Sequence, residues 1–153
     1  MSTRVGIGYD AHRFAGGLRL VLGGVEVPHA LGLEGHSDAD VLTHAVIDAV
    51  LGAAGLGDIG TLFPPNEERW RDAHSLDLLR VALGNLHGRV VNVDATLVCE
   101  SPPIGPHRAE MERNLAETLS APVSVKATTN EGMGGIGRGE GIACIAVALL
   151  ELA

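Results

Sequence analysis

The run Ile142–Leu150 constrains the fold more than any other stretch of this chain. Every position in it is apolar, reading Ile-Ala-Cys-Ile-Ala-Val-Ala-Leu-Leu. It falls far short of the ~20 residues a helix needs to cross a bilayer. Side chains alternate across a strand, so a strand without a polar position has two faces to bury. The run therefore predicts an interior strand of a layered protein, with helices over one face and room for a subunit interface over the other.

The rest of the chain supplies partners for that strand. Val5–His12 alternates: Val5, Ile7, Tyr9 and Ala11 form an apolar face, and Gly6, Gly8, Asp10 and His12 a second face with space beside the glycines. Leu20–Leu22 and Val25–Val27 flank Gly23-Gly24, a hairpin signal. Pro28–Gly35 reads as a loop. Asp38–Ala54 reads as a helix capped by Ser37 or Asp38, with acids in its first turn. Gly55–Asn66 reads as a loop and Ser75–Leu86 as a second helix, ended by Gly88. Val91–Leu97 is a half-buried strand, Pro106–Leu119 a third helix, Val123–Thr128 another strand, and Gly132–Gly141 a glycine-rich loop. The expected fold is α+β: a single domain over residues 1–153, one mixed sheet packed by helices on one face.

Charge narrows the function. Eleven basic residues against 19 acidic ones leave a formal charge of −8. Non-specific nucleic-acid binding needs the opposite sign. A phosphorylated ligand would need metal ions or backbone N–H groups to supply much of the positive field. Cys99 and Cys144 both lie in apolar runs, which reads as packing in a reducing compartment. Met1–Asp10 has no apolar core of a signal peptide. The expectation is a soluble cytoplasmic protein.

Three segments carry chemistry. Asp10 and His12 share a strand face, so carboxylate and imidazole project together; a polar strand end looks the same. Asp40, His44 and Asp48 stand four apart on the first helix, a solvated stripe or the edge of a buried site. Asp10, His12 and His44 together would make a three-ligand site with an open fourth position, the catalytic layout for Zn²⁺. Lys126–Gly134 runs from a strand into glycines, where backbone N–H groups commonly hold phosphate oxygens. It lacks the Gly-Lys-Ser/Thr end of a P-loop, and a long surface turn with an Arg138–Glu140 ion pair is the alternative.

Taken together, these segments resemble the 2-C-methyl-D-erythritol 2,4-cyclodiphosphate synthase family of the non-mevalonate isoprenoid pathway. The resemblance is collinear over nearly the whole chain. It rests on Gly8-Tyr9-Asp10-Ala11-His12-Arg13-Phe14, His36-Ser37-Asp38-Ala39-Asp40 with His44, and Leu56-Gly57-Asp58-Ile59-Gly60 with Leu62-Phe63-Pro64. Lys126-Ala127-Thr128-Thr129-Asn130-Glu131 and Gly137-Arg138-Gly139-Glu140-Gly141-Ile142-Ala143 complete it. The resemblance implies a homotrimer with active sites between adjacent subunits. It implies 4-diphosphocytidyl-2-C-methyl-D-erythritol 2-phosphate as substrate, whose 2-phosphate attacks its own β-phosphorus and expels CMP. Zn²⁺ is expected on Asp10, His12 and His44, and Mg²⁺ or Mn²⁺ on Glu131. His36 and Thr129 match the positions that stabilise the transition state. Substrate contacts are expected from Asp10, Ala11, His12 and Ser37, from Asp58, Ile59 and Gly60, and from Phe63, Asn66 and Glu67. Pro103, Ile104 and Gly105 with Ala127 and Thr128 match the cytosine pocket, and Thr129, Asn130 and Glu131 are also expected to contact the substrate. Gly135 and Arg138 match an axial cavity that takes an isoprenoid diphosphate in some relatives.

Two departures mark this chain. Pro65 follows Phe63-Pro64 where relatives carry an acid, and Gly135 stands where some relatives place a phenylalanine. Some relatives are fused to a cytidylyltransferase domain, for which 153 residues leave no room. Two other functions fit the same residues: a zinc-dependent phosphohydrolase, and a non-catalytic trimer that binds isoprenoid diphosphate through Gly134–Arg138.

Overall fold

The computed structural model describes all residues 1–153. The apolar run forms strand β7 (Gly141–Leu152), in the middle of a five-stranded sheet. On one side of β7 lies β1 (Ser2–Gly16), antiparallel, in register from Ser2 opposite Leu152 to Arg13 opposite Gly141. On the other lies β5 (Gly88–Val98), also antiparallel, with a bulge between Val90 and Asn92. Strand β6 (Val123–Thr128) pairs parallel to β5, so the sheet is mixed as expected. Three short strands precede the helices: β2 (Leu20–Leu22), β3 (Val25–Val27) and β4 (Leu31–Leu33). The β2–β3 hairpin stands apart as a two-stranded ribbon around Gly23-Gly24, so there are two sheets where one was expected. Strand β4 closes the edge of the main sheet, pairing Leu33 with Phe14. It lies inside Pro28–Gly35, expected as a loop; three residues are too few to show periodicity.

Helix α1 (Val41–Ala54) crosses β1 and β7 and is buried almost all round. It packs on the glycine face of β1. A Cβ added at Gly8 would sit 1.9 Å from the Ala45 carbonyl oxygen, and one at Gly6 2.0 Å from that of Ala49. The glycines thus leave room for a helix backbone and for nothing else. On β1 the opposite, apolar face is left bare: Val5, Ile7 and Tyr9 are 68%, 70% and 60% exposed. Beside them on β7, Ile145 and Val147 are also exposed, while Ile142, Cys144, Ala146, Ala148 and Leu150 are buried under the helices. The sheet therefore has one covered face and one bare apolar face.

Helix α2 (Ile59–Leu62) is one turn inside the expected Gly55–Asn66 loop. Helix α3 (Ser75–Gly84) ends at an Asn85 cap, short of Gly88. Helix α4 (Arg108–Leu119) follows a 3₁₀ turn at Gly105–His107, and the one-turn α5 (Gly134–Gly137) interrupts the glycine-rich loop. Cys99 and Cys144 are free and buried.

Candidate active site

The approach of α1 to β1 brings three side chains together. His44 lies in the first turns of α1, and its Nδ1 is 3.0 Å from Asp10 Oδ2 and 3.3 Å from His12 Nε2. His12 Nε2 is 2.8 Å from the same Asp10 oxygen. A tetrahedral zinc ion bound at about 2.0–2.1 Å needs donor atoms about 3.3 Å apart. The three donor atoms are close to that spacing, and their chemistry, two imidazoles and a carboxylate, suits the ion. The residues present therefore fit it.

The electrostatics agree. Partial burial pushes the Asp10 carboxyl up, but hydrogen bonds and charge from His12 and His44 outweigh it and hold the group at about 2. Burial pushes the His44 imidazole down, and Asp10 more than reverses it, so His44 is raised above its ordinary value. Asp10 therefore stays ionised between the two imidazoles, and the negative charge that draws a proton onto His44 would draw a metal cation in its place.

Asp40 and Asp48 do not join this group. Asp40 is the N-cap of α1 rather than Ser37 or Asp38, and the first turn carries no acid. The Asp40 carboxylate is fully buried and accepts four bonds: from Gly23 N and Gly24 N at 2.9 Å, Thr43 N at 3.0 Å and Thr43 Oγ1 at 2.8 Å. It welds the hairpin turn to the helix start. Asp48 accepts from Ile59 N at 2.7 Å, which fixes α2 beside the triad. Burial pushes its carboxyl up. Ser75, the first residue of α3, was not singled out from the sequence. Its hydroxyl lies 2.8 Å from His44 Nε2, and Ser37 Oγ lies 3.0 Å from the same nitrogen. Nothing in the linear spacing links Ser75 to His44.

A cleft beside the triad is lined by His12, His36, Ser37, His44, Ile59 and Phe63, with Pro65, Trp70 and Leu78. Its floor is apolar, with Phe63 edge-on to Trp70. His36 Nε2 is 3.4 Å from the Glu67 carbonyl oxygen. Glu67 takes bonds from Arg69 and Trp70, and Asn66 is exposed beside it. Asp58 caps α2 through Thr61, and Ile59, which follows it, lines the cleft; Gly60 is the next residue of the same turn. Ala11 and His12 border a second hollow with Gly135 and Glu140. There Arg138 donates to Glu140 at 2.7 Å, the ion pair expected of a surface turn.

The other expected residues lie elsewhere on the same sheet end. Thr128 pairs with Val98, Val98 with Ala143, and Ala143 with Ala11. Two strands therefore separate Ala127–Glu131 from the triad, about 14 Å at ~4.8 Å per strand. Pro103, Ile104 and Gly105 follow shortly after Glu100, whose Oε2 accepts from Asn130 N of this second group at 2.7 Å. Thr129 Oγ1 accepts from Glu131 N, and the Glu131 side chain is exposed. Within one chain the two groups do not meet.

Comparison with known proteins bears on the family and the fold. The YgbB family model matches residues 3–151. A 2-C-methyl-D-erythritol 2,4-cyclodiphosphate synthase of Gloeobacter violaceus is 54% identical, covering 97% of this chain and 94% of its own. A solved synthase of the same name in its CDP-bound form superposes with a TM-score of 0.88 at 34% identity, covering 97% of this chain and 100% of its own. The bifunctional IspDF of Campylobacter jejuni superposes with a TM-score of 0.93 at 38% identity over 99% of this chain. This chain spans 43% of that longer protein. With its triad, cleft and fold accounted for, the chain is an enzyme of the YgbB family, the 2-C-methyl-D-erythritol 2,4-cyclodiphosphate synthases.

Proposed function

We propose that this chain, acting as one domain over residues 1–153, converts 4-diphosphocytidyl-2-C-methyl-D-erythritol 2-phosphate to 2-C-methyl-D-erythritol 2,4-cyclodiphosphate and CMP, a phosphorus–oxygen lyase reaction. The observation that carries the reading is the Asp10–His12–His44 cluster at the mouth of a half-apolar cleft. An oxygen of the 2-phosphate bonds to the β-phosphorus. The bond from that phosphorus to the bridging oxygen breaks, and CMP leaves with the electron pair. The nucleophile is already an anion and the leaving group a phosphate monoester, so the residues need supply little acid or base. Their work is positioning and charge neutralisation.

Zn²⁺ held by Asp10, His12 and His44, and Mg²⁺ or Mn²⁺ held by Glu131, would supply Lewis-acid neutralisation of the diphosphate. Around it, His36 and Thr129 donate to the oxygens that gain charge, and Ser37 positions the phosphate. Asp58, Ile59 and Gly60, held by Asp48, take the methylerythritol hydroxyls and phosphate, with Phe63, Asn66 and Glu67 bordering them. Ile104 and its neighbours with Ala127 and Thr128 take the cytosine.

Residues two strands apart must serve one substrate. We therefore infer a homotrimer in which one copy's triad faces a neighbour's Ala127–Glu131 segment. The bare face of Val5, Ile7, Tyr9, Ile145 and Val147 supports this reading, because apolar patches of this kind mark interaction surfaces. Two free buried thiols suit a cytoplasmic location, and no helix is long and apolar enough to cross a membrane.

Phosphorus NMR of the zinc- and magnesium-loaded protein with the diphosphocytidyl substrate tests the reading. Stoichiometric CMP with coupled signals of a cyclic diphosphate is expected. An opened phosphate carrying solvent oxygen would instead make it a phosphohydrolase. No turnover in a zinc-loaded trimer would leave a binding role.

A further inference from the structure

We infer that Ser75, backed by Asp38, is a positioning residue that sets the tautomer and aim of His44 for the metal. The inference rests on the metal reading of the triad. A neutral imidazole has one N–H and one lone pair. His44 Nδ1 faces Asp10 and His12, so it must carry the lone pair when a cation is held there. The proton then sits on Nε2, which is buried against two hydroxyls, Ser75 Oγ at 2.8 Å and Ser37 Oγ at 3.0 Å.

The two hydroxyls are not equivalent. Ser75 is fully buried, and its own proton is committed to Asp38 Oδ1, so only its lone pairs are left for the imidazole. Asp38 is itself held on every side: Oδ2 accepts from Ser75 N at 2.9 Å, Oδ1 from Asp40 N at 3.2 Å, and its own N–H donates to the Ala73 carbonyl at 3.2 Å. Ser37 is half-buried, and its hydroxyl oxygen accepts only a long bond, from Ala39 N at 3.4 Å. The polarity runs one way, from His44 Nε2–H to Ser75 Oγ and from Ser75 Oγ–H to the Asp38 carboxylate. This chain enriches the electron density at Nδ1 and fixes the ring plane, the role that outer partners play for metal-bound histidines. It also explains why α3 begins where it does: its first side chain is a strut for a ligand on α1.

The test measures zinc affinity by chelator competition and the visible bands of the Co²⁺-substituted protein, for the wild type, Ser75→Ala and Ser75→Thr. Ser75→Ala should bind zinc about 10–100-fold more weakly and shift the Co²⁺ bands. Ser75→Thr keeps the hydroxyl and should recover most of the lost affinity. Long-range ¹H–¹⁵N spectra of zinc-loaded wild type should show the His44 proton on Nε2, slow to exchange. A proton on Nδ1 would overturn the inference even if Ser75→Ala failed to fold. So would wild-type affinity and spectrum in Ser75→Ala, or equal losses in both variants, which would mean that packing and not the hydroxyl matters. A wild type that binds no zinc would overturn the metal reading itself, and is distinguished by needing no variant.

Discussion

Gly8→Ala should break the metal site from behind. The new Cβ would lie 1.9 Å from the Ala45 carbonyl oxygen and 2.7 Å from Ala49 N, both backbone atoms that cannot swing aside. Real Cβ atoms keep at least 3.0 Å, so α1 and β1 must part by about 1.1 Å. Overpacking costs 1–3 kcal/mol where side chains can adjust; with backbone on both sides the loss should reach about 3 kcal/mol or more. The same parting acts on the ligands. Ala45 follows His44, and Asp10 lies two residues beyond Gly8 on the same face, so the 3.0 Å from His44 Nδ1 to Asp10 Oδ2 should open to about 4 Å. That exceeds the ~3.3 Å edge of a tetrahedral zinc site. Denaturant unfolding of the metal-free protein measures the first effect, and zinc stoichiometry by native mass spectrometry the second. Gly6→Ala, which meets Ala49 a turn further along, should match it in stability but lose less zinc. A Gly8→Ala protein of wild-type stability with full zinc would refute the claim that this contact sets the ligand spacing.

Three further outcomes follow from the same geometry. Asp40→Asn turns an amide N–H₂ towards donors that now meet a carboxylate oxygen, and should cost about 2–4 kcal/mol; a denaturant midpoint unchanged from wild type would contradict this. Asp10 has its folded-state pKa lowered from 3.8 to about 2, so its stabilisation of the metal-free protein is complete above 3.8 and lost as the pH falls towards 2. The loss is about 2 kcal/mol. Asp10→Asn should flatten the stability profile across that window, and an identical acid limb in both proteins would argue against it. Ile7→Asp on the bare sheet face should yield folded monomers by sedimentation velocity, whereas an intact trimer would move the interface elsewhere.

The central strand, the hairpin, three helices and the Asp10–His12 pair were legible because each has a local signature: an unbroken apolar run, Gly-Gly between strands, helical spacing, Asp-x-His; His44 joined that pair through the family resemblance. What was not legible is what one segment does to another. The alternation in β1 marked two faces, but which one is buried depends on α1 needing backbone contact, and only Gly6 and Gly8 permit that. Val5, Ile7 and Tyr9 form an apolar face in the sequence, and it is this face that lies bare in the chain. Asp40 looked like a member of a polar stripe because its hydrogen-bond partners, Gly23 and Gly24, lie far back in the sequence. Ser75 carries no signal at all until α3 is docked against α1.

The pairing of β1 with β7 also imposes an order of events on a ribosome. The strand that carries Asp10 and His12 is made first, and its long antiparallel partner is made last. Until β7 emerges, β1 can pair only with β4, over Phe14–Gly16. Contacts this distant in sequence form slowly. For all of that interval the β7-facing edge of β1, from Ser2 to Arg13, is an unpaired strand edge of the kind that other chains can pair with.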